Sequence, residues 1–468
     1  MKILVLGAGE VGHSIASYLA DQGEEVAIVE KSPEVAVQIK ESSGIDVIVG
    51  NGLDPEVLRE ARAENADYMI ASMSSDEQNI IACKLMGALF AVQTKIARLK
   101  SRFFLQNDNM SPQFFRENFA VDVIIQPELE IANAICAVAA INGAFDVINL
   151  KGSLIIGLKC REGTEVLNTP FRHFRGIVDY DASVLIITRN GNTFRPQMDD
   201  MLLVNDEIYL AVASKHKNES LKLFGYAQTI PQNILMVGGK GLAVAKAMRG
   251  KNPEVSLTLL EESMKNAEEI AQNFPEIAIS CGNYLDYDFL REISHGIDTA
   301  IVVTNSEKNN ILVSLFLKKI GVKRVLTLAK NYKYDVLLPV SAGCSVINPS
   351  AITVETIVHG VRREDITSVI ALKNNHNWVV VEAPVTESCS YLGKGVMSIA
   401  AENKIIPIFL SRNIFFEEEI TQSSPILAEK DPCMTVGDVV TLLVEKTSIR
   451  GVEKIFSSYQ FSRDKILS

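Results

Sequence analysis

The chain has 468 residues, which is too long for one ordinary hydrophobic core, so roughly three or four domains are expected. Its 46 basic and 57 acidic residues give a formal net charge of −11, which argues against nucleic-acid binding and against electrostatic binding to anionic lipid. Seven cysteines without a C-x-x-C spacing are typical of reduced thiols in a cytosolic protein, and six scattered histidines do not suggest a metal site. No window approaches the ~18 consecutive apolar residues that a membrane span needs, so we expect a water-soluble, cytoplasmic chain.

The first thirty residues predict a strand, a glycine-rich turn, a helix and a second strand. An apolar run over residues 3–6 leads into a G-x-G-x-x-G turn at Gly7, Gly9 and Gly12, and the second apolar run ends in Glu30. This order is the dinucleotide-binding fingerprint. Gly7 permits the tight turn, Gly9 lets the backbone approach a pyrophosphate, and Gly12 lets the helix pack closely. The alternative is a glycine-rich turn without a ligand.

The acidic residue that closes the second strand indicates which dinucleotide to expect. The Glu30 carboxylate can accept hydrogen bonds from ribose hydroxyls, and its charge would repel a 2′-phosphate. We therefore expect NAD(H) rather than its 2′-phosphorylated form. Further strands are predicted at residues 46–49, 68–71, 95–99 and 122–125, with helical patterns between them. Such alternation predicts a doubly wound parallel sheet.

The pattern returns in the second half of the chain. Gly238 lies 231 positions after Gly7, and Glu261 lies 231 positions after Glu30. A nearly constant offset between landmarks indicates an internal duplication. Each predicted sheet is followed by a helical connector and by short alternating strands. The sequence therefore predicts an α/β protein with two Rossmann-like doubly wound parallel sheets, each followed by a small α+β module, with domains at 1–125, 126–228, 229–348 and 349–468.

The order and duplication of these motifs resemble the TrkA family of Trk-system potassium uptake proteins, in which each half is an RCK (regulator of potassium conductance) unit. The resemblance covers essentially the whole chain, although no single motif is specific. The matching segments are GAGEVG at residues 7–12, GNGLD at 50–54, SSDEQN at 74–79, IARLKS at 96–101, VGGKGLA at 237–243, LLEES at 259–263 and VTNSEKNN at 303–310.

The resemblance implies a cytoplasmic regulatory subunit that forms a homo-oligomeric ring, expected to be a tetramer. The ring would act on a TrkH- or TrkG-like potassium-transporting membrane protein and reach the membrane only through that partner. Members of the family bind NAD(H), or adenine nucleotides such as ATP and ADP, in the sheet crevice, and the bound ligand changes the shape of the ring. Which nucleotide activates and which inhibits is left open.

The residues expected to contact a nucleotide lie at the carboxyl edges of the two sheets. In the first half they are Gly7, Ala8, Gly9, Glu10, Val11, Gly12, Glu30, Asn51, Met73, Ser74 and Arg98. In the second half they are Gly238, Gly239, Lys240, Gly241, Leu242, Glu261, Thr304 and Asn305. The resemblance implies the contacts of Met73 and Ser74, and it favours a phosphate contact over a plain surface position for Arg98. Ser74 and Thr304 also begin S/T-x-x-E patterns that predict helix capping boxes.

The second fingerprint departs from the first. At the constant offset, Lys240 stands where the first half has Gly9, Ala243 stands where it has Gly12, and about Thr327 stands where it has Arg98. A Cβ at Lys240 would obstruct a pyrophosphate held as in the first half, although its ammonium group could reach a phosphate in another way. The second sheet is therefore either a modified nucleotide site or a purely structural copy.

An NAD-dependent oxidoreductase is the alternative that the first fingerprint alone would favour. A dehydrogenase needs a substrate domain that places an acid or base beside the nicotinamide. In this chain the first predicted sheet is followed by a short module and then by another copy of itself. We therefore expect a regulator rather than an enzyme. A scaffold that binds no ligand is a third hypothesis.

Overall fold

The computed structural model describes most of the chain, in segments that group into two compact units. One unit is Met1–Ile131 with Pro349–Val361, and the other is Ala132–Asn348 with Arg362–Ser468. The predicted boundaries of four domains stay a prediction. The described residues are 2–21, 23–101, 104, 110–150, 152–173, 182–226, 232–329, 343–361, 368–373, 375–401, 405–416, 419–422 and 426–456.

The first sheet has six parallel strands, as predicted. They are β1 (Lys2–Leu6), β2 (Glu25–Glu30), β3 (Asp46–Val49), β4 (Tyr68–Ala71), β5 (Thr94–Arg98) and β6 (Val123–Ile125). The helices are α1 (Glu10–Asp21), α2 (Pro33–Ser43), α3 (Pro55–Glu60), α4 (Asp76–Leu89) and α5 (Pro112–Phe119). The strand order β3-β2-β1-β4-β5-β6 reverses between β1 and β4, and open α/β sheets bind ligands at such a switch point.

A connector helix and an antiparallel sheet follow. The connector is α6 (Pro127–Ala139), and the sheet is followed by α7 (Lys217–Leu223). The strands of this first module are β7 (Asp146–Leu150), β8 (Ser153–Lys159), β9 (Ala182–Arg189), β10 (Asn192–Phe194) and β11 (Glu207–Ala213). They pair in the order β10-β9-β11-β8-β7.

The second parallel sheet repeats the first. Its strands are β12 (Asn233–Val237), β13 (Ser256–Glu261), β14 (Ala278–Cys281), β15 (Thr299–Val302), β16 (Arg324–Leu328) and β17 (Cys344–Ile347). Its helices are α8 (Gly241–Lys251), α9 (Met264–Asn273), α10 (Tyr287–Ile293) and α11 (Glu307–Ile320). The order β14-β13-β12-β15-β16-β17 matches that of the first sheet strand by strand.

The second module begins after the connector helix α12 (Pro349–Val361) and ends with α13 (Ile449–Phe456). Its strands are β18 (Ser368–Leu372), β19 (Asn375–Pro384), β20 (Ile405–Ser411), β21 (Asn413–Phe416), β22 (Glu419–Gln422), β23 (Ile426–Leu427) and β24 (Val439–Glu445). Five of them pair in the order β18-β19-β24-β20-β23, while β21 and β22 form a separate ribbon.

Each of the two modules contains an equivalent ion pair between an arginine and a buried aspartate. Asp206 and Asp438 are each 1% exposed, and each accepts hydrogen bonds from an arginine, Arg189 and Arg412 respectively. Each aspartate also accepts a backbone N–H from three residues earlier, at 2.8 Å. The equal arrangement confirms that the duplication predicted from the sheets extends to the modules.

The connector helix α12 completes the core of the first sheet rather than the second. Val354 and Ile357 of α12 are buried in one cluster with Ile15 and Leu19 of α1 and with Ile125 of β6. Because α12 lies more than 200 positions beyond these residues, the first sheet does not have its whole core within the first half of the chain.

The C-terminal part of the connector helix α6 is held by the second sheet. Arg324 at the start of β16 is 8% exposed, and its guanidinium donates to the carbonyls of Val138 at 2.6 Å and Ala139 at 3.0 Å. It also donates to the carbonyl of Ala144 at 3.0 Å. Burial lowers the pKa of Arg324 to about 10, because the charged form loses its hydration. The carbonyls at a helix C-terminus have no intrahelical partners, and this buried arginine supplies one.

Among the described residues, every helix is too short or too polar to cross a lipid bilayer.

Candidate functional site

The glycine turn after β1 is tightly packed at two glycines and open at the third. Gly7 has a φ of +95°, and a Cβ there would lie 2.9 Å from the carbonyl oxygen of Ser72. A Cβ on Gly12 would lie 2.0 Å from the carbonyl oxygen of Gly7. A Cβ on Gly9 would meet no atom within 4 Å. The fold itself therefore requires Gly7 and Gly12, whereas only the approach of a ligand gives a reason for Gly9.

Glu30 ties the end of β2 to this turn. Its Oε2 accepts the Ala8 N–H at 2.7 Å, its Oε1 accepts the Ser32 N–H at 2.9 Å, and the residue is 9% exposed. Glu10 and Val11 follow in the first turn of α1, where the backbone N–H groups have no intrahelical partner and favour an anion. Glu30 thus has a structural role that its residue type did not reveal, and its remaining lone pairs are those a ribose would use.

A buried asparagine fixes the loop between β4 and α4. Asn79 is fully buried, and its Oδ1 accepts the Met73 N–H at 2.8 Å. Its Nδ2 donates to the Arg98 carbonyl at 2.8 Å, which joins the loop to the end of β5. Asn310 repeats both contacts in the second half, with Thr304 and Leu328. The sequence showed the two asparagines only as markers of the repeat.

The helix caps differ from the prediction by one or two residues. The N-cap of α4 is Ser75, not Ser74, and the N-cap of α11 is Ser306, not Thr304. The Ser75 hydroxyl lowers the pKa of the exposed Glu77 carboxyl through a hydrogen bond. Ser74 is consequently exposed and not engaged as the cap, while the Thr304 hydroxyl donates to the Asn310 Oδ1 at 2.7 Å.

Two polar atoms at this edge of the first sheet are buried without a hydrogen-bond partner among the described residues. They are the Ser72 Oγ below the glycine turn and the Arg98 Nε at the end of β5. The Nη2 of Arg98 pairs with Glu128 in the first turn of α6. Leaving a buried donor or acceptor unsatisfied costs about 1–3 kcal/mol, so such atoms usually face a water or a ligand. These atoms make this edge a candidate site for a polar ligand.

The turn after β3 borders the same crevice. The Asn51 Oδ1 accepts the Leu53 N–H at 3.1 Å, so the side chain closes a local turn. A Cβ on Gly52 would lie 3.3 Å from the Met73 Sδ and 3.4 Å from the Leu6 Cβ. Gly52 is therefore closely packed against the Met73 side chain and the end of β1. The first-half residues predicted to contact a nucleotide thus all lie at or just beyond the carboxyl ends of β1 to β5.

The spacing of the glycines differs between the two turns. Gly238 has a φ of +100° and is the counterpart of Gly7. The counterpart of Gly12, however, is Gly241: a Cβ on Gly12 would lie 3.4 Å from Ser72, and one on Gly241 would lie 3.6 Å from Val303, at the matching position after the neighbouring strand of the sheet. The glycine pair is thus two positions closer together in the second half, and the predicted equivalence of Ala243 with Gly12 is wrong. Lys240 directly precedes α8, as Gly9 directly precedes α1.

The buried faces of the two helices confirm this register. The buried residues of α8 follow those of α1 at an offset of 229, not 231. Ile15, Ala16 and Leu19 are buried in α1, and Val244, Ala245 and Met248 are buried in α8. Two additional residues, one at the end of α8 and one in the loop before β13, restore the offset of 231 at the next strand. The equal offsets of β12 and β13 therefore hid a shorter spacing of the glycines and a longer segment before β13, which compensate each other.

The other polar groups of the first crevice are also missing from the second. The strand register and the bond from Asn310 make Leu328, not Thr327, the counterpart of Arg98. Val303 stands where the first half has Ser72. The edge of the second sheet is therefore apolar at both positions.

Glu261 has lost a bond that its counterpart Glu30 makes. Its Oε1 accepts the Ser263 N–H at 3.2 Å, but its Oε2 is buried without a partner among the described residues. That oxygen lies against Gly239, where a Cβ would be only 2.8 Å away. Lys240 precedes α8 in a helical conformation, Leu242 lies in its first turn, and Asn305 is exposed after β15. These residues share one edge of the sheet without forming the geometry of the first site.

Comparison with known proteins gives the family. The TrkA-N domain model matches residues 3–112 and 234–349, the two parallel sheets. The Trk system potassium uptake protein TrkA of Azorhizobium caulinodans is 30% identical over 406 residues, which cover 85% of this chain and 88% of that protein. The chain belongs to the TrkA family. The corresponding Haemophilus influenzae protein is 25% identical over 468 residues, which cover 98% of this chain and all of the relative.

Solved structures show the same fold. The GsuK RCK domain superposes with a TM-score of 0.58 at 16% identity and covers 97% of this chain and 94% of its own. The GsuK channel bound to NAD superposes with a TM-score of 0.56 at 17% identity, over 97% of this chain and 78% of that one. The predicted fold, two Rossmann-like sheets each with a small module, is confirmed.

Proposed function

We propose that this chain is the regulatory subunit of a Trk-type potassium uptake system. It binds an adenine nucleotide at the carboxyl edge of its first sheet and controls a potassium-transporting membrane protein by a change of shape. The observation behind this proposal is the carboxyl edge of the first sheet of a TrkA-family chain, which carries an open Gly9 and the buried, unpartnered Ser72 Oγ and Arg98 Nε. A phosphate or ribose oxygen can supply the partners that these atoms lack.

The nucleotide proposed for this site is NAD(H). The carboxylate of Glu30, held by the Ala8 and Ser32 N–H groups, disfavours a 2′-phosphate and accepts ribose hydroxyls. ADP and ATP share the adenosine and pyrophosphate of NAD(H), so they are expected to compete for the same crevice. Arg98, at the end of β5, is the residue proposed to reach a phosphate.

The partner proposed is a TrkH- or TrkG-like potassium transporter, with this chain as a homo-oligomeric ring, a tetramer, on its cytoplasmic face. Relatives at 25–30% identity carry the name Trk system potassium uptake protein TrkA. The net charge of −11 would be repelled by an anionic leaflet, so docking rests on protein–protein contact. Membrane attachment then depends on the transporter.

A regulatory rather than catalytic role also follows from what surrounds the first crevice. An NAD-dependent oxidoreductase, the alternative function, needs an acid or base that reaches the nicotinamide from a substrate domain. Here the first sheet is followed by an antiparallel module and a second Rossmann-like sheet. A nucleotide that favours one ring shape by ~1–3 kcal/mol is enough to change the activity of a partner.

The test is potassium flux into liposomes that contain the transporter, with and without this chain, in the presence of NADH, ATP or ADP. We expect the flux to depend on both chain and nucleotide, and Gly9→Val to remove the nucleotide dependence. The matched control is Gly250→Val, another glycine whose Cβ would meet no atom within 4 Å, away from the crevice in α8. Flux that ignores the chain, together with turnover of NADH by the purified protein, would favour the oxidoreductase.

A further inference from the structure

We infer that the crevice of the second sheet is filled by the chain's own Tyr284, so that each chain binds one nucleotide, at the first sheet alone. The inference rests on the proposed function, because it assigns to one of the two sheets the nucleotide proposed above. Tyr284 is then the residue that decides which of the two copies of the fold is a ligand site.

Tyr284 stands at the counterpart of Gly52. Gly50 and Asn51 correspond to Gly282 and Asn283, and both asparagines accept the N–H two residues on, at 3.1 and 2.8 Å. The next position is therefore Gly52 in the first half and Tyr284 in the second. Where the first sheet has a glycine packed against Met73 and Leu6, the second sheet carries an aromatic side chain beside Thr304, the smaller counterpart of Met73.

Topology shows which part of a nucleotide this position would face. In a dinucleotide fold the acidic residue that ends β2 binds the ribose of the adenosine, so the adenine lies on the β3 side of that residue. The turn after β3 contains Gly52, and the turn after β14 contains Tyr284. An aromatic ring at the second position occupies the space of the adenosine.

The ring of Tyr284 lies across the edge of its sheet. It is 9% exposed and packs in one cluster with Val237 at the end of β12 and Leu260 of β13. Its hydroxyl lies beside the side chains of Asn309 in α11, Glu262, which follows β13, and Thr304, which follows β15. Starting beyond β14, the side chain thus reaches over β13 and β12 to the loop after β15.

Two replacements at the second edge agree with this occupation, although the Glu261 Oε2 is buried there without a partner among the described residues. Apolar Val303 and Leu328 replace the Ser72 and Arg98 of the first sheet. A closed crevice does not need polar groups for a ligand, and it shows none at these two positions. In this inference, the edge of the first sheet is filled by a bound nucleotide that contacts its polar groups, and the edge of the second sheet is filled by the ring of Tyr284.

The first test labels the full chain with the photoreactive nucleotide 8-azido-ADP and maps the labelled peptides. Calorimetric titration with NADH and with ADP then measures the number of nucleotides bound per chain. For the wild-type chain we expect one nucleotide per chain, with label on peptides of the first sheet and none on residues 232–329. Gly9→Val should leave neither binding nor label. Label within residues 232–329, two nucleotides per chain, or one nucleotide retained by Gly9→Val would overturn the inference.

Tyr284 itself is tested by Tyr284→Gly, which copies the first half, with Tyr284→Phe as the control that keeps the ring. We expect Tyr284→Gly to gain label in the second sheet and Tyr284→Phe to gain none. A folded Tyr284→Gly chain that gains no label would overturn the role of Tyr284. Because Tyr284→Gly removes buried surface, the folding of this variant is checked by circular dichroism. If Tyr284→Gly does not fold, the labelling pattern of the wild-type chain decides the inference. A wild-type chain that binds no nucleotide at all contradicts the proposed function but agrees with a closed second crevice.

Discussion

Arg98 at the end of β5 forms an ion pair with Glu128 in the first turn of the connector helix α6. The Arg98 side chain is 12% exposed and its Nε lacks a partner among the described residues, while Glu128 is half exposed. A phosphate in the first crevice would compete with the Glu128 carboxylate for the same guanidinium. We therefore expect the binding of a nucleotide to be linked to the position of Glu128 at the start of α6.

This competition predicts opposite effects for the two partners. Glu128→Gln should tighten nucleotide binding roughly five- to tenfold because it frees Arg98, and Arg98→Gln should weaken it by a similar factor, both within the usual range of coupling energies. Calorimetric titration with NADH and ADP measures both. Glu56→Gln, which breaks the exposed pair with Arg59 in α3, is the matched control and should change neither affinity. An unchanged affinity in Glu128→Gln would show that Arg98 does not exchange partners.

The glycine turn predicts a separation of folding from binding. Gly9→Val should leave the melting temperature of the ligand-free chain nearly unchanged, because a Cβ at this position meets no protein atom within 4 Å. It should abolish the stabilisation of about 2.7 kcal/mol expected from NADH at ~100 times its dissociation constant. Gly12→Ala should instead destabilise the ligand-free chain, since its Cβ would lie 2.0 Å from the Gly7 carbonyl.

Thermal shift with NADH and NADPH side by side checks both parts of that prediction. A larger shift with NADH follows from the charge of Glu30. Equal shifts with the two cofactors, or a ligand-free Gly9→Val chain that melts well below wild type, would contradict it.

The buried arginine of the second sheet should contribute strongly to stability. Arg324→Met leaves the carbonyls of Val138, Ala139 and Ala144 without their donor, at about 1–3 kcal/mol for each that water does not reach. Chemical denaturation measures the loss. Arg249→Met is the control, because Arg249 also donates to two carbonyls, those of Pro253 and Glu276, but does so near the surface. Equal losses in both variants would argue against a special role for the buried one.

The buried carboxyl of Glu130 predicts that the chain becomes less stable as the pH rises. Burial raises the pKa of its carboxyl, and the charge of nearby Glu128 adds to the effect, against the hydrogen bonds from Gln126 and Thr356. The folded state therefore binds the Glu130 proton more tightly than the unfolded state does. Stability from this group is present below the unfolded pKa of a glutamate and is lost as pH rises through the higher folded value.

Glu130→Gln removes the loss of stability that accompanies ionisation of the buried Glu130 carboxyl. We expect the variant to melt above wild type at pH 7, and the difference to shrink as pH falls below the usual glutamate range. Melting curves across pH 4 to 8 test this, with the exposed Glu117→Gln of α5 as control. A difference that grows toward low pH would have the wrong sign for a raised pKa.

The sequence by itself determined the local features of this protein. Apolar runs such as residues 3–6 form strands because both faces of a parallel sheet are buried, and Gly7 and Gly12 are glycines because a Cβ would strike the neighbouring backbone. The strand spacing revealed the duplication, and the family resemblance supplied the function. These properties depend on residues that are close in the chain or on repeated spacings, and both can be read in a single sequence.

Tertiary structure decided the rest, because it depends on partners far apart in the chain. Val354 and Ile357 of α12 complete the core of the first sheet, and Glu128 of α6 pairs with Arg98, although no local pattern connects them. The offset of 231 at both β12 and β13 concealed the closer spacing of the second pair of glycines, since additional residues before β13 restore the count. Only the packing of side chains shows that Tyr284 is buried at an edge that the sequence left open as either a modified nucleotide site or a structural copy.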